Sequence, residues 1–531
     1  MNKRFYKIND NYVYDSITNS LCYGSNLFIS RLMNNTFDAS ELNKREKEFL
    51  TQIKKAKDPT IKKKMETDTV YITICYSDNC NLNCTYCYRN KSNNKQKLTI
   101  SDLEKIIDFI VTKYQPKAKN YIFSLGLTSE PMLDINLLQE FQEYLSKYDG
   151  SLLKQDDFLI SSPKEIYDQL PSEVKKNVSN NNEYLEQLNM IISTENLTTT
   201  YNIKEGDLYE GFNSLLNNRY LCKNKLTFLN RKILEYKFRG VIRENDFHYF
   251  NISFFSNGTL ITEKKARIIK SFNIEQITIS IDGDQEIHNY SRKYNNNQGS
   301  YNDVLKGIQN LQKNGITVNA STVLIPEFPY LTRIIMHLRE LKINKVKFNI
   351  LRNENGYLYT KNALENLLND INRLCDIMID EFKQNNFSLL NMLDETLLIL
   401  PIKNIAFRKR FEFRCNWGDN VVIDTKGDLY PCLYTIGKKE FSYGNYNGNI
   451  NQKTIFNPIS VNDKIPCNTC WAKYLCGGSC HFNGFISKND ILDTDEIECL
   501  YRKGLIKISL NLISKLIDQN LIGIVINKLK K

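Results

Sequence analysis

The sequence predicts an α/β chain in which a partly closed parallel barrel of six strand–helix units stands between a small N-terminal α+β unit and a cysteine-rich C-terminal region. Three observations predict it. From Val70 onward, β-rich apolar runs alternate with amphipathic helical patterns. Ten of the 14 cysteines fall into two groups, Cys80 to Cys87 and Cys415 to Cys499. The 531 residues exceed what one core accommodates and imply about two or three domains, with 41% hydrophobic residues to fill them.

Taken in order, "RFYKINDNYVYDSITNSLCYG" from Arg4 alternates like a β-hairpin with a third strand, and "NLFISRLMN" from Asn26 and "SELNKREKEFLTQIKKAK" from Ser40 read as helices. These make an α+β unit over 1–68. The barrel occupies 69–355. Its strands are "VYITICYS" (Val70), "NYIFSLGL" (Asn120), "YFNISFFS" (Tyr249), "QITISIDG" (Gln276), "ITVNASTVLI" (Ile316) and "NKVKFNIL" (Asn344). Helical patterns separate most of them. "SDLEKIIDFIVTKY" opens with Ser101 as its N-cap, and "SYNDVLKGIQNLQKNG" from Ser300 ends on a glycine. Between the second and third strands lie roughly a hundred residues more than one connection needs, so an insertion is expected at about 150–247. A helical linker follows at 356–404, with a long helix from Lys361. The cysteine-rich domain fills 405–531 and ends in an amphipathic helix from Leu505 to about Ile526, whose apolar stripe reads as core-facing.

The stretch "MNKRFYKINDNYVYD" has no apolar h-region, and no apolar run approaches the roughly 18 residues of a membrane span. A cytoplasmic chain with no membrane insertion is expected. The net charge of +11 comes from scattered residues apart from short runs such as "KKAKDPTIKKK" from Lys54, which argues for solvated faces and against a nucleic-acid partner. Fourteen cysteines without an export signal argue for metal ligation or redox chemistry rather than disulfides. Cys22, Cys75, Cys222 and Cys375 lie in apolar or helical surroundings and read as small buried hydrophobes. His248, His288 and His337 show no partner pattern.

In "SDNCNLNCTYCYRN", Cys80, Cys84 and Cys87 follow the first barrel strand directly, on the face where barrels place their active sites. Three thiolates can hold three corners of a 4Fe–4S cube and leave the fourth iron open, as catalysis at a metal requires. This CxxxCxxC loop, with Tyr86 before its last cysteine, resembles the radical S-adenosylmethionine (SAM) superfamily. The resemblance implies that the open iron chelates SAM and that one electron cleaves it to methionine and a 5′-deoxyadenosyl radical, which abstracts a substrate hydrogen. It also implies SAM contacts at Tyr86, at Glu130 in "TSEP" (the counterpart of a glycine-rich "GGEP" whose glycines are absent here), at Ser280 and Asp282 in "SIDG", and at Arg292 in "HNYSR" as the carboxylate partner. "SNGT" from Ser256 resembles the usual turn after the third strand.

Farther on, Cys415 is followed after eleven residues by Gly427 and after four more by Cys432; then come Cys467-x2-Cys470-x5-Cys476-x3-Cys480 and, eighteen residues on, Cys499. This spacing resembles the SPASM extension of radical SAM enzymes. The resemblance implies two auxiliary 4Fe–4S clusters, one on Cys415, Cys432 and Cys480 and one on Cys467, Cys470, Cys476 and Cys499, the first lacking a fourth cysteine. Zinc ribbons are the alternative, with His481 available as an extra ligand.

SPASM enzymes mostly modify peptides, so a precursor peptide or protein substrate is expected, with a flavodoxin- or ferredoxin-type electron donor. The N-terminal unit resembles the winged-helix-like element that captures leader peptides of ribosomally synthesised, modified peptides by strand addition. The expected reaction is hydrogen abstraction leading to a crosslink, a thioether above all. The alternatives are oxidation of Cys or Ser to formylglycine, as in anaerobic sulfatase maturases, and a non-catalytic zinc-dependent peptide-binding module. Leu433 directly after Cys432 counts against the first, because those maturases carry an aspartate there.

Overall fold

The computed structural model describes residues 4–34, 36, 42–56, 69–87, 96–111, 120–145, 249–272, 274–353, 356–413, 415, 417, 420–448, 450 and 459–530. The insertion expected at 150–247, with Cys222, and His248 lie outside the described residues.

Strands β1 (Phe5–Lys7), β2 (Tyr12–Asp15) and β3 (Ser20–Tyr23) form an antiparallel sheet in that order. Helices α1 (Asn26–Asn34) and α2 (Lys44–Lys55) cover one face, burying Val13, Cys22, Phe28, Ile29 and Leu32 in a core of their own. Asn43 and Glu46 form a reciprocal capping box that starts α2.

The barrel follows as β4 (Thr69–Ile74), α3 (Ile100–Phe109), β5 (Asn120–Leu125), α4 (Ile135–Leu145), β6 (Tyr249–Ser256), α5 (Glu263–Ser271), β7 (Ile274–Ser280), α6 (Gln285–Ser291), α7 (Tyr301–Lys313), β8 (Val318–Leu324), α8 (Leu331–Glu340) and β9 (Val346–Ile350). The six strands expected from the sequence pair in chain order, every pair parallel. Parallel neighbours need a crossover, and the amphipathic helices supply it while burying the outer face of the sheet. Ile72, Phe123, Phe254, Ile277, Ala320 and Val346 join the core beneath. Each large side chain buried there stabilises the fold by about 1.5–3 kcal/mol.

Two details differ from the sequence reading. The cap of α3 is Thr99, not Ser101: the Thr99 hydroxyl accepts from the Asp102 N–H while the Asp102 carboxylate accepts from the Thr99 N–H. The terminal helix begins earlier and breaks. Asp495 caps it, it runs as one piece over Glu496–Asp518, and Asn520 with φ of 59° separates it from a last helix, Ile522–Leu529.

After β9 come α9 (Lys361–Lys383), α10 (Ser388–Leu393) and α11 (Leu400–Ala406). Then β10 (Val421–Ile423), β11 (Asp428–Tyr430) and β12 (Gly444–Asn445) extend the barrel sheet: β10 pairs parallel with β4, and β11 and β12 add antiparallel strands beyond it. The cysteine-rich region therefore shares one nine-stranded sheet with the barrel. Helices α12 (His481–Lys488), α13 (Glu496–Asp518) and α14 (Ile522–Leu529) complete the chain. α13 packs on α9 and α11 and buries Leu505, Ile506, Leu510, Leu512 and Leu516, so its apolar stripe is core. Among the described residues no helix is long and apolar enough to cross a membrane.

The N-terminal sheet seats on the C-terminal region. Tyr6 stacks on Trp471 with centroids 4.0 Å apart, the Tyr12 hydroxyl donates to Asp518 at 2.7 Å, and the Asn19 amide donates to the Lys409 carbonyl at 2.7 Å.

Candidate functional site

The loop after β4 is held from three sides at the C-terminal ends of the strands. The Glu130 N–H donates to the Asn79 carbonyl at 2.9 Å, while the Asn83 and Thr85 N–H groups donate to the Lys293 and Ser291 carbonyls at 2.6 and 2.9 Å. Cys80, Cys84 and Cys87 are thereby fixed on a braced loop, with Cys87 the most exposed. Cys80 feels the charge of Cys84 and Cys87, and Cys84 that of Cys87. Burial pushes Cys80 up to about 11 and also raises Cys84, against which the Arg292 charge works. Among the described residues no three His, Cys, Asp or Glu side chains converge on a point where a single metal ion would sit.

Asn257, in the turn after β6, is a site residue that sequence reasoning missed. Its amide donates to Asn81 Oδ1 at 2.8 Å and points at Cys80 Sγ at 3.7 Å, while Asn81 donates to the Thr259 hydroxyl at 2.8 Å. The "SNGT" motif located this turn, but the partner across the barrel was not readable from it. Glu130, 1% exposed, is the tie beneath: its carboxylate accepts from the Met132 N–H at 3.0 Å, the Ser256 hydroxyl at 2.8 Å and the Asn257 N–H at 2.7 Å. Burial raises its pKa and these donors oppose that. Gly126, at the end of β5, has φ of 84°, and a Cβ there would stand 2.0 Å from the Phe255 carbonyl oxygen, so only glycine lets the β5 and β6 ends approach.

Asp282 and Arg292 form a buried ion pair beside the loop, not the surface salt bridge that is the ordinary role of such an arginine. Arg292 Nε donates to Asp282 Oδ2 at 2.9 Å and Nη2 to Oδ1 at 3.4 Å; Oδ1 also accepts from the Val323 N–H at 3.0 Å. The Tyr86 hydroxyl donates to Asp282 Oδ2, and the Arg292 guanidinium lies over the Tyr86 ring at 5.4 Å. Burial opposes the Arg292 charge, but Asp282, Tyr86 and Cys84 more than offset it and hold its pKa up. Burial lifts the Tyr86 phenol well above its usual value. His288 supports the pair from below: its Nδ1 accepts from the Asp282 N–H at 3.4 Å and its Nε2 meets the Ser300 hydroxyl at 3.0 Å. Burial pulls His288 down to about 3. Ser280 ends β7 opposite Ser321 of β8 and makes up part of the same rim.

The seven C-terminal cysteines separate into two sets in space. Cys432 feels Cys480 and Cys415 and is pushed up to about 12 by burial. Cys467 feels Cys476 and Cys499, and burial drives it up to about 12 and Cys499 to about 11. Cys467, Cys470, Cys476 and Cys499 line one cavity of about 390 Å³. The Arg352 Nη1, just past the end of β9, donates to Cys480 Sγ at 3.4 Å, and Arg502 Nε donates to Cys476 Sγ at 3.1 Å. Gly427, φ 83°, closes the β10–β11 turn against the Tyr446 ring. His481 sits beside Trp417 with Nδ1 facing the Ile491 carbonyl at 3.4 Å. Cys22, Cys75 and Cys375 are buried, and His337 meets the Tyr301 hydroxyl at 2.7 Å on the barrel exterior.

Residues 225–341 match the radical SAM superfamily. The chain is 26% identical over 245 residues to a cysteine-type anaerobic sulfatase-maturating enzyme of Clostridium novyi (strain NT), covering 43% of this chain and 63% of that one. It is 30% identical over 220 residues to an uncharacterized protein of Methanocaldococcus jannaschii, covering 41% and 66%. The chain thus spans just under two thirds of these two relatives' lengths. Among solved structures, native anSMEcpe with bound AdoMet and Cp18Cys peptide superposes with a TM-score of 0.51 at 17% identity, over 85% of this chain and 98% of that one, a likeness of fold. The parallel strands, the braced three-cysteine loop at their ends and the sequence match converge: this chain carries a domain of the radical SAM superfamily.

Proposed function

We propose that the chain is a SPASM-type radical SAM maturase that abstracts hydrogen from a peptide or protein and thereby forms a crosslink, a thioether from a cysteine sulfur to carbon being the preferred form. Cys80, Cys84 and Cys87 would hold the 4Fe–4S cluster that the family implies, and SAM bound at its open iron would supply the 5′-deoxyadenosyl radical. The observation that carries the reading is the bracing of the three-cysteine loop by the ends of β5 and β6 and by the Arg292 segment, since a cluster that must present one open corner needs its ligands held by a rigid shell. Asn257 steadies Cys80 by its side-chain amide. Tyr86, Asp282 and Arg292 form the polar wall for SAM; Asp282 takes Nε and Nη2 of Arg292, which leaves Nη1 for a carboxylate. Glu130 acts through the Asn257 turn, and Ser280 offers its hydroxyl at the rim.

The two C-terminal thiol sets fit auxiliary 4Fe–4S clusters, the second by its four-cysteine cavity. The first set, with three cysteines, is one thiolate short of a fully ligated cube, and a substrate thiolate is the chemically matched candidate for the fourth ligand. In the N-terminal unit, β3 is an edge of its sheet with Tyr23 61% exposed, which suits capture of a leader peptide by strand addition. A peptide substrate also accords with the peptide bound to anSMEcpe.

The sulfatase-type oxidation to formylglycine is the second reading, favoured by the name of the Clostridium novyi relative. Against it, the residue after Cys432 is Leu433, packed against the cluster of Cys75, Trp417, Val422, Tyr430 and Phe441, where those maturases carry a carboxylate. Incubating the anaerobically reconstituted protein with SAM, dithionite and a cysteine-containing candidate peptide separates them. Release of 5′-deoxyadenosine with loss of two hydrogens from the peptide is the expected result; a thiol converted to an aldehyde selects the second reading. Absence of 5′-deoxyadenosine from fully iron-loaded protein would sink both, and about two zincs per chain in place of iron would leave the non-enzymatic peptide-binding reading.

A further inference from the structure

Three cations stand against the C-terminal thiols, and the assignment of those thiols to clusters leaves them unexplained. Lys464 is 1% exposed; its ammonium donates to the Ser479 hydroxyl at 3.3 Å and the Asp493 carbonyl at 3.1 Å, and no described carboxylate forms an ion pair with it. A buried ammonium without a paired anion is costly unless other negative charge stands close by. The Ser479 that it holds directly precedes Cys480, and the Lys464 carbonyl accepts from the Cys467 N–H at 3.0 Å, so the lysine is tied to both sets; charge on Cys467, and then on Glu498, Cys480 and Cys499, would act on its ammonium. Cys467 and Cys499 belong to the four-thiol set and Cys480 to the three-thiol set, so one ammonium is shared between both.

The arginines are not shared. Arg352 gives Nη1 to Cys480 Sγ at 3.4 Å and to Asn483 Oδ1 at 3.0 Å, with its guanidinium 3.5 Å over the Tyr434 ring. Arg502, 6% exposed, gives Nε to Cys476 Sγ at 3.1 Å and Nη2 to the Cys476 carbonyl. Each thiol set thus receives one guanidinium, and each guanidinium touches one sulfur.

We propose that these side chains set the reduction potentials of the two auxiliary centres: Arg352 that of the centre on Cys415, Cys432 and Cys480, Arg502 that of the centre on Cys467, Cys470, Cys476 and Cys499, and Lys464 both together. The inference rests on the reading of both sets as 4Fe–4S sites. Reduction adds one electron to a centre, supplied by the external donor, with no bond to the chain made or broken. A fixed cation at short range in a dry site stabilises the added negative charge, and an N–H···S bond draws charge from the sulfur. All three groups therefore raise the potential of the centre they face. Because Lys464 acts on both centres, it moves them together and leaves the step between them to the two arginines.

The test is an EPR-monitored potentiometric titration of the anaerobically reconstituted full-length protein in a Cys84→Ala background, which removes the radical cluster's signal; Cys470→Ala then identifies the signal of the four-thiol set. Arg352→Gln should lower one midpoint and Arg502→Gln the other, each by at least tenfold in the reduced-to-oxidised ratio, about 59 mV for a one-electron couple. Lys464→Met should lower both, and Lys464→Arg should restore both. Should Lys464→Met load iron poorly, Lys464→Gln is titrated in its place. Iron-loaded variants with unmoved potentials, or a Lys464 variant that shifts one centre alone, overturn the proposal, and failure of both neutral Lys464 variants to load assigns the lysine to folding and overturns it as well. If the Cys84→Ala parent itself holds no iron, the auxiliary-cluster reading has failed instead.

Discussion

Breaking the Asp282–Arg292 pair tests whether this contact holds the site together. The side chains are 3% and 10% exposed, so removing Asp282 leaves a buried guanidinium unpaired, at a cost of about 3–5 kcal/mol. Asp282→Ala also orphans the Val323 N–H and frees the Tyr86 hydroxyl, which adds to the loss. On the scale of a 150–250-residue domain, at about 2–4 °C per kcal/mol, the melting point should fall by about 6–20 °C. Asp282→Asn keeps an acceptor for Val323 and should fall less. Asp282→Leu with Arg292→Met removes both charges and should recover most of the loss, because the penalty comes from the stranded ion rather than from the missing bond. Thermal melts of cluster-free protein followed by circular dichroism read this without involving the cofactor. A single Asp282→Ala variant melting within about 2 °C of the parent, or a double variant no better than the single one, would refute the reasoning.

Other perturbations give separate readings. His288 is held neutral at about 3 against an ordinary 6.5, so below about pH 5.5 the unfolded chain binds a proton that the folded chain does not; stability should fall by about 1.4 kcal/mol per pH unit down toward pH 3, a slope absent from His288→Gln in urea melts at matched pH. Glu130→Gln turns an amide N–H toward groups that are themselves donors and should cost about 1–3 kcal/mol, read as a lower urea midpoint. Reconstituted protein should carry about twelve irons per chain; Cys470→Ala and Cys87→Ala should each remove about four by metal analysis, and equal loss of all iron from either would contradict three separate sites.

Much of the barrel was legible because its signal is local. The six strand segments, from "VYITICYS" to "NKVKFNIL", alternate with helices whose apolar faces repeat at helical spacing, and the structure places a strand in each. The three-cysteine loop was legible for the same reason: Cys80, Cys84 and Cys87 are separated by fixed short spacings just after a strand. The capping error at Ser101 was avoidable, since Thr99 and Asp102 already form the Thr-x-x-acid pattern. The pairing of β10 with β4 was not, because its two strands are some 350 residues apart and three residues of "VVI" carry no mark of their partner.

By itself, the sequence determined the α/β class, the order of the barrel elements and the spacing of the thiols, all of which follow from neighbouring residues and their periodicity. Only the tertiary structure decided that Asn257 reaches Cys80 across 177 residues, that Arg352 reaches Cys480 across 128, that Arg292 turns its fork to Asp282, and that the buried Lys464 bonds Ser479 beside Cys480. The physical reason is that a donor or a charge acts through distance in space. Chain packing brings such groups together from separate elements, and no pattern within any one element records it.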